Sequence, residues 1–212
     1  MNDSITPAAD ALARLREGNR RFTSNVRSLD ALISHTRRAE LASMRQFPVA
    51  IVLGCADSRV PAEIVFDQGL GDLFVIRVAG NIVAPSQVGS VEFAVERFGT
   101  RLVVVMGHTG CSAILATLEH IENPAGTSSR NQRSIVERMR PAVEALVKTD
   151  LARDRAALLR EAVRANVRVS ADHLRHASSV LEQSHQDGLR VVGAEYNLET
   201  GEVDFFDGID GL

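Results

Sequence analysis

Apolar residues gather along the chain in four short runs: Val49–Leu53 (VAIVL), Leu73–Val78 (LFVIRV), Leu102–Met106 (LVVVM) and Leu189–Ala194 (LRVVGA). Such unalternating runs predict strands buried on both faces of a parallel sheet, where neither side chain row meets water. Between them the period lengthens to that of a helix, in Val88, Val91, Val95 and Phe98 and again in Ile114, Leu118 and Ile121. Asn197–Gly201 (NLETG) predicts a turn into a last strand over Val203–Phe206. Near the start, Ala8, Ala11, Leu12 and Leu15 form a narrow apolar stripe on a short helix, which must be buried against this subunit or a neighbour. Residues 132–186 carry no strand pattern, and Val163, Val167, Leu174, Ala177 and Leu181 predict one long helix ending near Asp187–Gly188. Asn123–Arg130 (NPAGTSSR) is the most loop-like internal stretch. The expected fold is α/β: a single domain over 1–212 with a mostly parallel central sheet, about four parallel strands plus a C-terminal antiparallel one, flanked by helices. An N-terminal helical arm is expected over 1–30 and the α/β core over 46–206.

Composition narrows the function classes. Hydrophobic residues make up 45% of the 212 and charged residues 24%, enough to fill one core. The formal net charge of −3 argues against a broad nucleic-acid-binding face. No apolar run approaches the ~20 residues of a membrane span, and no basic leader precedes an apolar stretch at the N-terminus. With only two cysteines, the chain is expected to be cytoplasmic, with neither nucleic acid nor membrane as a partner.

Both cysteines sit at chemically charged places. Cys55 follows the VAIVL run in LGCADSRVP, two residues before Asp57 and four before Arg59. Cys111 lies in GHTGCSA, straight after the LVVVM run and three residues beyond His108. Ligands of open α/β sheets bind at the carboxyl edge of the strands, so two such loops would bring Cys55, His108 and Cys111 together. Three readings remain open on these residues alone. Two thiolates and an imidazole form a zinc site with a fourth position unfilled, the pattern of catalytic rather than structural zinc. The cysteines could instead be buried structural thiols, or a redox pair joined as a disulfide. The disulfide explains neither His108 nor the Asp57/Arg59 pair.

Cys-Ala-Asp-Ser-Arg at 55–59 together with Gly-His-Thr-Gly-Cys at 107–111 resembles the β-class carbonic anhydrases. The likeness extends to Leu15–Phe22 (LREGNRRF), Asp72–Asn81 (DLFVIRVAGN), Ser90–Val95 (SVEFAV) and Glu195–Gly201 (EYNLETG), and covers roughly 7–206. The resemblance implies one Zn2+ per chain on Cys55, His108 and Cys111, and reversible hydration of carbon dioxide to bicarbonate by zinc-bound hydroxide. Two thiolates cancel the charge of the metal, so activity is expected to favour alkaline pH. Asp57 would accept a hydrogen bond from the bound water, or swing in as a fourth ligand and close the site. Arg59 would hold it away as a bidentate partner. Gln46, Phe74, Phe93 and Ser112 match substrate-pocket positions. Of these, Phe93 lacks the hydroxyl of the Tyr common in the family, and Ser112 replaces the usual Gly. A bicarbonate-regulated branch uses Trp, Arg and Tyr in a remote anion site. Arg77 and Tyr196 match two of these, but Val52 stands at the Trp position, so that site is expected to be absent and Asp57 to rest on Arg59 near neutral pH.

The family also implies a homodimer or homotetramer, with the arm wrapped on a neighbouring subunit and the zinc pocket at the dimer interface. His35, His120, His173, His176 and His185 are expected at the surface. Other substrates of the same fold (carbonyl sulfide or carbon disulfide) and a non-catalytic zinc domain for assembly or regulation are the competing functions.

Overall fold

The computed structural model describes residues 5–26, 35–43, 45–124 and 129–212. The elements, in chain order, are α1 (Ala8–Thr23), α2 (His35–Ser43), β1 (Ala50–Gly54), α3 (Ala62–Val65), β2 (Leu73–Arg77), α4 (Pro85–Phe98), β3 (Leu102–His108), α5 (Ser112–Glu122), α6 (Arg130–Val143), α7 (Arg155–Arg175), α8 (Ser179–Gln186), β4 (Arg190–Tyr196) and β5 (Val203–Asp207). A 3-10 turn at Ala79–Asn81 follows β2, and two more join α6 to α7.

The strands form one sheet in the order β2-β1-β3-β4-β5. The first four are parallel, and β5 runs antiparallel to β4, as the sequence pattern predicts. All five residues of β1 and all seven of β3 are buried, which is why their apolar runs do not alternate. One face of the sheet, through Val52, Val104, Met106, Val192 and Ala194, packs on α1, α3 and Phe66. The other, through Ile51, Leu53, Val103, Val105 and Val191, packs on α4, α7 and α8. A third cluster caps the carboxyl ends of β1 and β3, where Cys55 and Cys111 meet Ile82, α5, α6 and α7.

Of the two alternatives for the stripe of α1 (Ala8, Ala11, Leu12, Leu15), burial against its own chain is the one observed, on the sheet. One expectation changes. The long helix expected to end near Asp187–Gly188 is two: α7 stops at Arg175, and Ser178 caps α8 by accepting a hydrogen bond from the Leu181 N–H. The apolar period continues across the break because Leu174 and Leu181 face the same core. Of the loop expected at 123–130, residues 125–128 lie outside the described residues.

Candidate metal centre

β1 delivers Cys55 one residue past its end, and β3 carries His108 as its last residue. These neighbouring parallel strands are in register, with Gly54 beside Met106, so both residues emerge at the same edge of the sheet. Cys111 stands at the N-cap of α5, three residues further along. The Sγ atoms of the two cysteines are 4.0 Å apart, and these and a His108 ring nitrogen all lie within 4.8 Å of one another. All three residues are buried, and both cysteines are free thiols.

The His108 ring is aimed. Its Nδ1 lies 3.0 Å from the Thr109 carbonyl, which can only accept, so Nδ1 carries the proton and Nε2 keeps its lone pair. Nε2 is buried with no hydrogen-bond partner. Among the described residues, other buried side-chain atoms without partners occur at Asn81, Arg140 and Glu195, and of these four groups the one on His108 lies within a cluster of ligating atoms.

The thiols share their proton unequally. A hydrogen bond from Cys111 draws the pKa of Cys55 down to about 4 against the opposing effect of burial, and the Gly80 N–H, 3.4 Å from Cys55 Sγ, adds to the fall. The same bond, with burial, pushes Cys111 far above the ordinary thiol range. Burial alone would lower the pKa of His108, yet the thiolate of Cys55, the Thr109 carbonyl and the charge of Asp57 raise it. The cluster therefore attracts positive charge. Ligand atoms about 2.3 Å from a tetrahedral zinc stand about 3.8 Å apart, close to the observed sulfur separation. Two soft thiolates, one imidazole lone pair and this spacing fit a divalent metal of zinc type.

Asp57 faces this cluster but is held by Arg59. The Arg59 backbone N–H and Nε both donate to Oδ1 at 2.9 Å, and a terminal guanidinium nitrogen donates to Oδ2 at 2.7 Å. Oδ2 remains 3.8 Å from His108 Nε2, too far for a hydrogen bond. The Arg59 bonds hold the Asp57 carboxyl well below the usual carboxylate range. Arg77 braces the same loop from β2, with Nε 3.1 Å from the Cys55 carbonyl and a second donor on the Asp57 carbonyl. Its partners are therefore backbone carbonyls of the loop, while Tyr196 is buried beside Phe22 and Val52 lies within the sheet.

The remaining candidates divide. Ser112 opens α5 next to Cys111 and is exposed. Phe74 pairs with Ile51 in the sheet, whereas Gly54, just before Cys55, pairs with Arg77. Three residues of strand separate them, about 10 Å. Phe74, Phe93 and Phe98 contact one another with ring centroids 5.7–6.5 Å apart, and Phe93 and Gln46 are exposed. Within one subunit these residues do not meet the cysteines. His173, His176 and His185 are exposed, His120 is half-buried, and the His35 side chain lies outside the described residues.

A family model described as carbonic anhydrase matches residues 50–203, a span that holds all three clustered residues. The chain belongs to the β-carbonic anhydrase family. It is 38% identical to a carbonic anhydrase of Mycolicibacterium smegmatis over 90% of this chain and 89% of that one. It is also 38% identical to carbonic anhydrase 2 of Mycobacterium tuberculosis, over 93% and 92%. Among solved structures, the β-carbonic anhydrase CcaA superposes with a TM-score of 0.70 at 25% identity, covering 95% of this chain and 93% of that one. The Coccomyxa enzyme in complex with acetazolamide gives 0.68 at 25% identity, covering 92% and 86%. This β-carbonic anhydrase shares the mixed sheet and flanking helices of those enzymes. Sequence reasoning missed its Arg77 brace, the Thr109 carbonyl behind His108 and the Gly80 N–H on Cys55. The last two are backbone groups, which no residue type announces.

Proposed function

We propose that the chain hydrates carbon dioxide reversibly to bicarbonate and a proton, with one zinc ion held by Cys55, His108 and Cys111. The observation that carries this reading is the buried, unpartnered Nε2 of His108 facing two free thiols beside a carboxylate that is kept ionised. When bound, zinc supplies Lewis acidity, lowering the pKa of water so that a nucleophile for carbon dioxide exists near neutral pH.

The protein's own groups do the rest. Asp57, ionised, can only accept hydrogen bonds, so a water between it and the cluster presents a hydrogen to Asp57 and a lone pair away from it. Arg59 fixes that carboxylate with three bonds and keeps it from moving onto the metal. Ser112, at the mouth of α5, borders the space left for substrate. Gln46, Phe74 and Phe93 lie away from the cluster of their own subunit, so a pocket role requires them to act across a subunit interface.

Assembly as a dimer or tetramer is part of this reading, supported by the exposure of Phe47 and Phe93 and by a Sordaria macrospora neighbour described as tetrameric (TM-score 0.69, 21% identity, 80% and 85% covered). A cytoplasmic location is likewise proposed. Among the described residues, no helix is long and apolar enough to cross a membrane.

Stopped-flow carbon dioxide hydration, with metal content measured on the same sample, tests the proposal. One zinc per chain and a rate that rises toward alkaline pH are expected. Full zinc with no hydration between neutral and alkaline pH would refute the activity.

A further inference from the structure

Asn166 lies in the middle of α7, 2% exposed, on a buried face it shares with Ala162, Val163, Val167, Ser170 and Ala171. A buried amide in such surroundings needs a partner. Its Nδ2 donates to the carbonyl of Gly80 at 2.8 Å, across 86 positions of sequence. The N–H of the same glycine is the group that donates to Cys55 Sγ. Gly80 has a φ of 68°, a left-handed conformation that favours glycine, and a methyl group there would overlap Met139 Sδ. Asn166 on the carbonyl and Met139 against the α-carbon thus hold Gly80, and with it the two peptide units that flank its α-carbon, from two helices.

We propose that Asn166 is a positioning residue for the metal centre. By holding the Gly80 carbonyl it keeps the Gly80 N–H on the Cys55 sulfur, and so sets the affinity of Cys55, His108 and Cys111 for zinc. The role rests on the zinc reading above. The Gly80 N–H is a partner one step removed from the metal, a place where loss typically weakens metal binding by about 10- to 100-fold, and Asn166 acts on it through the Gly80 carbonyl. A merely structural Asn166 would stabilise the fold without touching that affinity.

Zinc affinity, measured by competition with a chromophoric chelator, separates the two. The set is the wild type, Asn166→Ala, Asn166→Ser and Leu174→Ala, with melting temperatures taken alongside. Serine is too short to reach Gly80 but can bond within its own helix, which keeps a folded variant in hand. Leu174 is fully buried two turns further along α7 and serves as a stability control. Expected is a loss of zinc affinity of about 10-fold in both Asn166 variants, the low end of that range because Asn166 acts through Gly80. Leu174→Ala should lower the melting temperature and leave affinity within a factor of about three. The sulfur-to-metal absorption of the cobalt(II)-loaded Asn166 variants should also shift from that of the wild type, since the hydrogen bond acts on the sulfur. Unchanged affinity in Asn166→Ser, or an equal loss in Leu174→Ala, would overturn the role of Asn166. A wild type that binds no zinc would overturn the metal assignment itself, a different and separable failure.

Discussion

Asp57 accepts three hydrogen bonds from Arg59, two residues away, and keeps a lone pair of Oδ2 toward His108 Nε2 at 3.8 Å. Under the proposed function, in which this carboxylate orients and does not ligate, Asp57→Ala is expected to lower turnover by ~100-fold or more while zinc content stays at one per chain. Cys111→Ala should lose the metal; full zinc in that variant, read by metal analysis after dialysis, would break the ligand assignment. Glu195, which pairs with Gly107 on the neighbouring strand, offers a pH test on a group outside the cluster. Burial raises its pKa more than Arg164, 3.1 Å away, lowers it, and Oε1 is buried without a partner. A carboxyl whose folded pKa is raised costs stability as pH climbs above its unfolded value. Glu195→Gln should thus gain melting temperature relative to wild type between pH 5 and pH 8, and a shrinking difference over that range would contradict the assignment. The Cys55, His108 and Cys111 cluster and the Asp57/Arg59 pair were legible in sequence because each comes from a short local stretch after a strand. Asn166 was not, since its partner lies 86 residues away and buried asparagines look alike in a sequence.

At the scale of elements, α1 shows how a motif read as a signature acquires a physical cause. Asn19 is buried, and its Nδ2 donates to the carbonyls of Val65 and Gly201 at 3.1 and 2.9 Å while its Oδ1 accepts from the Val203 N–H at 2.9 Å. One side chain thereby joins α1 to the end of α3 and to the β4–β5 hairpin. Gly18 lets the helix approach, because a methyl group there would overlap the Phe66 carbonyl oxygen. Asn19→Ala strands two buried carbonyls and a half-buried N–H and should destabilise the fold by about 2–4 kcal/mol, measured as a fall in urea midpoint at unchanged slope. A loss under about 0.5 kcal/mol would mean that water replaces these bonds. The strands were legible because burial on both faces leaves uninterrupted apolar runs. The break between α7 and α8 was not, because a serine cap changes one hydrogen bond while the apolar stripe runs on.

For the whole molecule, the sheet order decides where chemistry can occur. β2 and β3 lie on opposite sides of β1, so the connections around it diverge and leave a crevice at the carboxyl ends of β1 and β3. The cysteines and His108 stand there. The same order leaves β2 as one edge of the sheet, with Phe74 in it and Phe93 beside it 54% exposed, while Phe47, on the segment leading into β1, is 49% exposed. With the α1 stripe already buried in its own chain, these aromatics are, among the described residues, exposed apolar surface that assembly would bury, as are Ile5, Val26, Ile64, Leu70 and Val169. Assembly through the aromatics and assembly through the arm give opposite results under mutation. Phe93→Glu should convert the wild-type oligomer to a smaller species by size-exclusion chromatography with light scattering, leaving the melting temperature of the isolated subunit little changed. Leu12→Ala should instead lower stability by about 2–5 kcal/mol, because it opens a cavity in the subunit core, and leave the measured mass unaltered. A change in mass from Leu12→Ala with none from Phe93→Glu would restore the arm as the assembling element. A wild type that elutes as a clean monomer would remove the subunit interface, and with it any pocket role for Gln46, Phe74 and Phe93.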